Sequence, residues 1–342
     1  MSQSTPAISS LAFLTPGNFP DDDPYSGLEA TLRLFERAEA WGFDGAWVRQ
    51  RHLEHGISSA TVFLAAASQR TSTIELGTGV IPIGYESPFR LGEDLSTADV
   101  LSRGRLQVGL SAGRPPHADL IGDLVFDGDW ESHDFSHARI ERLAANLSGG
   151  FIGDEDTVVH SPGNVQRPRL QPHSPGLVDR LWYGSDDFVT AQLANLAAYR
   201  AGLGGGRSTR VALGRVVVPT DSADASSRRR YRAFEESRRA RTLAPQGERR
   251  TLFAPDLVGP SEQIIERLVA DAVVGEVDEL RLELPYEFSD EEYEQILHDV
   301  ATLVAPALGW TPTTSRDSSA GATGAAAPGS PVAARPVAVV GA

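Results

Sequence analysis

Short apolar runs alternate along the chain with longer segments in which apolar residues recur every three or four positions. This alternation predicts repeated βα units and a parallel sheet, because a buried parallel strand reads as a continuous apolar run and a surface helix as a periodic one. Seven runs have the character of strands: Leu11–Leu14, Gly45–Val48, Ile74–Ile81, Leu106–Leu110, Leu181–Gly184, Val211–Val218 and Leu280–Leu284.

The clearest helix closes this series. Ser289 and Glu292 have the spacing of a capping box, and apolar residues follow at helical spacing. Between the fourth and fifth strands lies a long polar excursion with one convincing helix, around His137 to Leu147. Long excursions after barrel strands commonly carry function or a lid.

The pattern predicts an α/β fold of the TIM (β/α)8 barrel class over residues 1–310, since such barrels occupy about 250 residues or more. A closed barrel of this class needs eight strands, and seven are found. We therefore expect either a hidden strand within residues 123–180 or a barrel that lacks one strand in the middle. Residues 311–342 are mainly Ala, Gly, Pro, Ser and Thr, a composition typical of a disordered tail.

Composition removes several kinds of chemistry. The chain has no cysteine and no lysine, which excludes disulfides, thiolate metal sites and Schiff bases. A net charge of -15 argues against nucleic acid as a partner. No apolar run is long enough for a membrane span and no secretory signal is evident, so we expect a cytoplasmic protein with no membrane partner. The spaced histidine pairs lack a third ligand, so no metal site is predicted.

Three segments carry a resemblance to a known family. They are residues 38–52 (AEAWGFDGAWVRQRH), residues 70–110 with RTSTIELGTGV near the start and DVLSRGRLQVGL at the end, and residues 257–263 (LVGPSEQ) together with VDEL at 277–280. In these segments the chain resembles the bacterial luciferase-like monooxygenases, a family of flavin-dependent oxidoreductases. The resemblance is strongest up to Gly113 and weak in the middle of the chain.

The resemblance implies that Thr78, Gly79 and Val80 contact a flavin ring at the carboxyl end of the third strand, with a non-prolyl cis peptide between Gly79 and Val80. It also implies a catalytic role for His52, whose near-neutral pKa suits proton transfer. Arg51 occupies the position of a second histidine in luciferases. An arginine stabilises an anion but does not act as a base. The alternative for Arg51 is a surface ion pair with Glu54.

Further cofactor contacts are implied at Ser111 and Arg114 after the fourth strand, and at Gly184 and Ser185 after the fifth. Arg114 is equally compatible with a solvent-facing loop. The family binds the flavin phosphate after the fifth strand, but here two aspartates follow Ser185, and these would repel a phosphate. The hypothesis is that the chain has lost the phosphate-binding turn together with the next strand.

The resemblance implies a monooxygenase that uses reduced FMN and oxygen on a small organic substrate, usually as a homodimer and in some cases served by a separate flavin reductase. Two alternatives stay open. One is hydride transfer with the deazaflavin F420 in place of FMN. The other is a non-catalytic barrel subunit that has lost its flavin phosphate site.

Overall fold

The computed structural model describes residues 8–185, 189–202, 210–246, 252–315 and 337–340. Within these ranges, parallel strands alternate with helices over most of the chain. The strands are β1 (Ser10–Thr15), β2 (Gly45–Val48), β3 (Glu75–Pro82), β4 (Leu106–Ser111), β5 (Val159–Ser161), β6 (Asn164–Gln166), β7 (Leu181–Ser185), β8 (Arg210–Arg215), β9 (Val217–Pro219), β10 (Leu257–Gly259), β11 (Glu279–Glu283) and β12 (Val337–Val340).

Ten α-helices lie in the described ranges. They are α1 (Pro24–Ala40), α2 (Ala60–Ser68), α3 (Pro88–Ser102), α4 (Ala118–Phe126), α5 (Ala138–Leu147), α6 (Val189–Gly202), α7 (Ala225–Arg238), α8 (Ala240–Leu243), α9 (Ser261–Ala270) and α10 (Asp290–Asp299). Helix α1 packs against α10, and α3 packs against both α2 and α5. The predicted capping box is confirmed: the Ser289 hydroxyl accepts from the Glu292 N–H, and the Glu292 carboxylate accepts from the Ser289 N–H.

Each of the seven predicted runs contributes a strand to one parallel sheet with its helices outside, so the α/β class is confirmed. The predicted strand Val211–Val218 is interrupted after Arg215, and its end, β9, pairs with β10 in a separate two-stranded sheet. Strand β1 pairs with both β2 and β11, β2 with β3, β3 with β4, β4 with β7, and β8 with β11. In residues 123–180 the added strands are β5 and β6, which form a separate antiparallel hairpin. They therefore do not supply a missing barrel strand.

Between β7 and β8 the described part of the chain contains only α6. The strand position between them is taken by β12, from the opposite end of the sequence. This segment pairs in parallel with β7 on one side and β8 on the other. Composition had predicted disorder for residues 311–342. Four of them form a strand, and Thr313 donates its backbone N–H to the Gly42 carbonyl at 3.1 Å. Disorder stays a prediction for residues 316–336 and 341–342, which lie outside the described ranges.

The interior of the sheet contains a layer of large side chains below its carboxyl edge. The Arg281 guanidinium lies 3.4 Å from the centre of the Trp47 ring, and the Trp182 ring meets Trp47 edge to face at 5.0 Å. Toward the amino ends, Glu279 is fully buried and accepts from Arg281 and Arg210. The amino end of the sheet is thus filled, which leaves the carboxyl end for ligands.

Candidate functional site

The residues with the most evident chemistry lie at the carboxyl ends of β2, β3 and β4. His52 follows β2 in a loop that continues to Ile57, whose carbonyl accepts from the Arg51 N–H at 2.9 Å. Tyr85 and Glu86 follow β3. Because all these strands are parallel, their carboxyl ends meet at one edge of the sheet, and side chains from separate parts of the sequence come together there.

Gln50 holds the imidazole of His52. The Oε1 atom of this buried amide accepts from the Ala60 N–H at 3.2 Å, so its Nε2 faces Glu86 Oε1 at 2.8 Å and His52 Nε2 at 3.4 Å. Since an amide nitrogen only donates, His52 Nε2 must accept. The neutral ring therefore carries its proton on Nδ1, which points away from Gln50.

The surroundings of His52 favour this neutral form. Burial lowers the pKa of the His52 imidazole below its usual value; the Glu86 carboxylate opposes this shift and His117 adds to it. The ring meets Tyr85 edge to face at 4.9 Å between centroids. Burial also raises the pKa of the Tyr85 phenol, whose O–H donates to the Pro116 carbonyl. At neutral pH both rings are uncharged.

Arg139 fixes the segment that carries Tyr85 and Glu86. This buried arginine from α5 donates to the carbonyls of Ile83 and Glu86, the former at 3.2 Å. The sequence analysis did not identify Gln50, Glu86 or Arg139. Gln50 and Glu86 follow strand ends, where barrel ligands are found, and this was the available signal for them. Arg139 gave no such signal.

Arg51 lies beside a different space. A cavity of about 330 Å³ opens at the ends of β1 and β11, and its walls include Pro16, Phe19, Arg51, His55 and Tyr286. Arg51 Nε is 3.9 Å from a Glu54 carboxylate oxygen, a loose and partly exposed pair. The ion pair considered for Arg51 is therefore present. His52 does not line this cavity, so the two neighbouring residues face separate surroundings.

At the end of β3, the implied cis peptide is confirmed between Gly79 and Val80. Thr78 is fully buried, and its hydroxyl donates to the Gly109 carbonyl and accepts from the Gly109 N–H, both at 2.9 Å. This side chain is therefore occupied in joining β3 to β4, and only its backbone is left for a ligand. Gly79 and Val80 are partly exposed.

Gly184 faces Val80 across the sheet edge. A Cβ atom on Gly184 would lie 2.8 Å from Val80 Cγ1, so the glycine leaves space that a side chain would fill. Together with Gly79, these residues form a floor without polar side chains, and the Gln50 N–H that precedes His52 donates to the Val80 carbonyl at 3.4 Å. The chemistry of this set fits the ring portion of a flavin, a planar system that packs on an apolar face and accepts hydrogen bonds at its rim.

Arg114 has surface partners. Its guanidinium pairs with Asp119 and lies 4.6 Å from the centre of the Trp130 ring, and Ser111 is partly buried at the end of β4. Arg114 is close enough to Tyr85 for its charge to oppose the upward shift of the phenol pKa. The arginine thus contributes positive potential at the rim of the site and contacts none of its central residues in the described ranges.

The phosphate end of a flavin site is not defined by the described residues. Gly184 and Ser185 end β7, and the next described residue is Val189, at the start of α6. Residues 186–188, where the two aspartates occur, lie outside the described ranges, as does the predicted loss of the phosphate-binding turn. Among the described side chains, no group of three or more metal-ligating residues could hold a metal ion.

The fold and site define a class: an α/β protein with a parallel sheet whose carboxyl edge carries Gly79, Val80 and Gly184 and, in the loop after β2, a histidine with a lowered pKa. Residues 10–201 match the family described as luciferase-like monooxygenase. The chain belongs to the luciferase-like monooxygenase family. In the described ranges, no helix is both long and apolar enough to cross a membrane.

Sequence similarity to individual proteins is consistent with this family. The chain is 36% identical to limonene 1,2-monooxygenase of Rhodococcus erythropolis over 185 residues, 51% of this chain and 47% of that protein. The match thus spans about half the length of this curated relative.

Among solved structures, the oxygenating constituent of 3,6-diketocamphane monooxygenase from Pseudomonas putida, in complex with FMN, has a TM-score of 0.63 at 14% identity, covering 88% of this chain and 98% of that one. An F420-dependent secondary alcohol dehydrogenase has a TM-score of 0.55 at 14% identity, covering 88% and 99%. These two structures show that the fold is shared by proteins of both cofactor types.

Proposed function

We propose that this chain is a flavin-dependent monooxygenase that uses reduced FMN and oxygen on a small organic substrate. The observation that carries the proposal is that Gln50, whose side chain contacts His52, donates its backbone N–H to the Val80 carbonyl at 3.4 Å, which brings the His52 loop and the Gly79–Val80 end of β3 together. The match to a named monooxygenase over half the chain supports oxygen chemistry over hydride transfer. Bound reduced FMN would supply the reducing electrons and the reaction with oxygen.

The residues around this floor would bind and orient the cofactor. Gly79 and Val80 would pack against one face of the ring, and Ser111 and Ser185 would lie at its margin. His52 is neutral and carries its proton on Nδ1, so it would donate a hydrogen bond to a ring atom or to an oxygen at the reacting centre. The Tyr85 ring packs edge to face against the imidazole and would help to hold its orientation.

The substrate would enter the cavity beside Arg51. Its volume of about 330 Å³ suits a small organic molecule. Phe19, Pro16 and Tyr286 would contact the apolar part of the substrate. Because Glu54 neutralises Arg51 only loosely, the guanidinium is placed to bind a carbonyl or carboxylate oxygen of the substrate.

We also propose that the protein acts as a homodimer and receives reduced flavin from a separate reductase. Val62 of α2 and Val100 and Leu101 of α3 are apolar and exposed, on two helices that pack together. A symmetric pair would cover them. Sedimentation analysis of the protein and of a Val62→Glu variant tests this, since the variant should dissociate.

Anaerobic titration with reduced FMN, oxidised FMN and F420 tests the proposed function. Reduced FMN should bind in the micromolar range and raise the melting temperature. A His52→Asn variant should bind it about tenfold more weakly, because one hydrogen bond is lost. His160→Asn, in the exposed β5–β6 hairpin, is the matched control and should bind normally.

Each other outcome of the titration has a defined meaning. Binding of F420 alone would replace the proposal with deazaflavin hydride transfer. No binding of any of the three would identify the chain as a non-catalytic member of the family. Equal binding by the His52→Asn and His160→Asn variants would remove His52 from the site.

A further inference from the structure

The strand β12 connects the far end of the chain to the middle of the sheet. Val337 is in register with Trp182 of β7 and with Arg210 of β8, and Val340 with Ser185 and Leu213. Both backbone edges of the four-residue segment are therefore paired. A strand with partners on both sides is a central strand, in contrast to a tail that adds to an open edge.

Without this segment, β7 and β8 would each have a bare edge. In residues 10–283, β7 has its one sheet partner in β4 and β8 in β11 among the described strands. Unpaired edges of parallel strands are costly because their N–H and C=O groups are left without partners and the adjoining core is opened. The gap between β7 and β8 is one strand wide, because β12 pairs with both of these strands.

The residues beside the gap belong to the buried interior. Trp182 of β7 and Ala212 of β8 pack in the same layer as Trp47, and Arg210 joins the charged network of Glu75 and Glu279. An open gap would admit water to this layer. On the other side, the end of β12 runs beside Gly184 and Ser185, which border the proposed cofactor floor.

The sequence suits this position. Val-Ala-Val-Val is rich in β-branched residues and lies in a stretch otherwise dominated by Ala, Gly, Pro and Ser, so it is the part of the tail with the highest strand propensity. The connecting residues 316–336 reach about 70 Å when extended, which is enough to cross a protein of this size.

We propose that residues 337–340 serve as an intramolecular eighth strand, which closes the barrel between β7 and β8 and completes the wall beside the cofactor floor. The chain would thus have replaced a strand lost from its middle with one from its C-terminal tail. The closure does not depend on the proposed function; its effect on flavin binding does, and the tests separate the two.

A cross-linking experiment tests the register directly. Register partners in neighbouring parallel strands are about 4.8 Å apart, within the range of a disulfide, and the chain has no cysteine of its own. The double variant Tyr183→Cys/Ala338→Cys should form an intramolecular disulfide rapidly on mild oxidation. The control Tyr183→Cys/Ala326→Cys has its second cysteine in the connecting stretch and should cross-link at least tenfold more slowly.

Two results of this experiment would overturn the proposal. Equal rates for the two double variants would show a tail that samples the surface without a fixed register. A disulfide-linked dimer as the main product would show that the strand comes from a second copy of the chain.

Stability and binding measurements test the consequence. A proline lacks the N–H that a central strand must donate, so Val339→Pro should lower the melting temperature by about 5 °C or more and increase binding of a hydrophobic dye. Ala326→Pro should change neither. Unchanged melting for Val339→Pro, or exchange of the 337–340 amides at the rate of an unfolded peptide in the intact protein, would overturn the proposal.

The last test uses a truncated chain that ends at Ser315. It should melt lower than the intact protein, and a peptide of residues 332–342 should restore the loss, whereas the same peptide with V339P should not. If the intact chain binds reduced FMN, truncation should weaken binding at least tenfold. Failure of the intact chain to bind flavin would count against the proposed function and leave the cross-linking result unaffected.

Discussion

Gln50 Nε2 lies 3.4 Å from His52 Nε2 while Gln50 Oε1 accepts from the Ala60 N–H. The backbone of α2 therefore sets the orientation of the amide, and the amide sets which nitrogen of the imidazole carries the proton. With Nε2 as the acceptor, the neutral His52 ring has its donor on Nδ1. We therefore expect His52 to serve as a hydrogen-bond donor from Nδ1.

His52 should titrate below the usual range of histidine. Glu86 raises the pKa of the imidazole and His117 lowers it, so Glu86→Gln should lower the pKa further and His117→Asn should raise it. NMR titration of the imidazole signals, assigned with His52→Asn, measures this. A pKa at or above the ordinary value, a rise of the pKa in Glu86→Gln or a fall in His117→Asn would contradict the geometry.

The same shift affects folding stability. Because the unfolded chain binds the His52 proton at higher pH than the folded one, the stability from the neutral ring is present above the ordinary pKa of about 6.5. It is lost as pH falls from that value through the lowered folded pKa. The slope of the unfolding free energy with pH in this window should be smaller in His52→Asn than in the intact protein.

Gln50→Glu should change the tautomer of His52. Because Glu86 lies 2.8 Å from this position and two carboxylates there would share a proton, the substitution is made together with Glu86→Gln. The new carboxylate can then only accept, so the imidazole would have to donate from Nε2. Imidazole ¹⁵N chemical shifts distinguish the two tautomers. Gln69→Glu, at an exposed position near the end of α2, is the control and should leave the His52 signals unchanged.

The strands were predictable because their apolar runs are local and continuous. Six of the predicted runs are found in the sheet with ends within a few residues, since buried parallel strands need no pattern beyond hydrophobicity. The seventh, Val211–Val218, is divided between β8 of this sheet and β9, which pairs with β10. Helix α4 was missed because Pro115 and Pro116 precede it and Gly122 interrupts it. The structure shows that Gly122 is needed where the Trp130 ring packs, since a Cβ there would lie 2.4 Å from the ring.

The position of β12 could not be predicted from its own four residues. Its role depends on the gap between β7 and β8. The local sequence of residues 337–340 contains no information about a gap between strands so far away in the chain. In the candidate site, too, some residues could be identified from local sequence and others only from the fold. Motif similarity identified His52, whereas the role of Gln50 depends on Ala60 and Glu86, which the fold brings together from two other segments.

Arg281 should be among the most important residues for stability. It is buried against Trp47 and donates to the fully buried Glu279, so Arg281→Met would leave that carboxylate with Arg210 as its one strong partner. Loss of one member of a buried pair costs about 3 kcal/mol or more. Urea unfolding measures this cost.

The control is Arg37→Met, which breaks an exposed pair with Glu294 and should lower the free energy of unfolding by about 1 kcal/mol or less. Equal decreases for the two variants would show that the buried pair contributes no more to stability than the exposed one.

Gly77→Ala tests how tightly the interior layer is packed. A Cβ at this position would lie 2.1 Å from the Trp47 ring. Trp47 cannot withdraw easily, because Arg281 stacks on it and Trp182 meets its edge. Overpacking of this kind should lower the unfolding free energy by about 2 to 3 kcal/mol.

The matched control is Gly275→Ala. The added Cβ would meet no atom within 4 Å, and the backbone there is not in the left-handed region, so the substitution should be neutral or slightly stabilising. Urea unfolding of both variants, with equal slopes, gives the comparison. If Gly77→Ala were as stable as Gly275→Ala, the Trp47 ring would have room to move, and the layer of large side chains below the candidate site would be loosely packed.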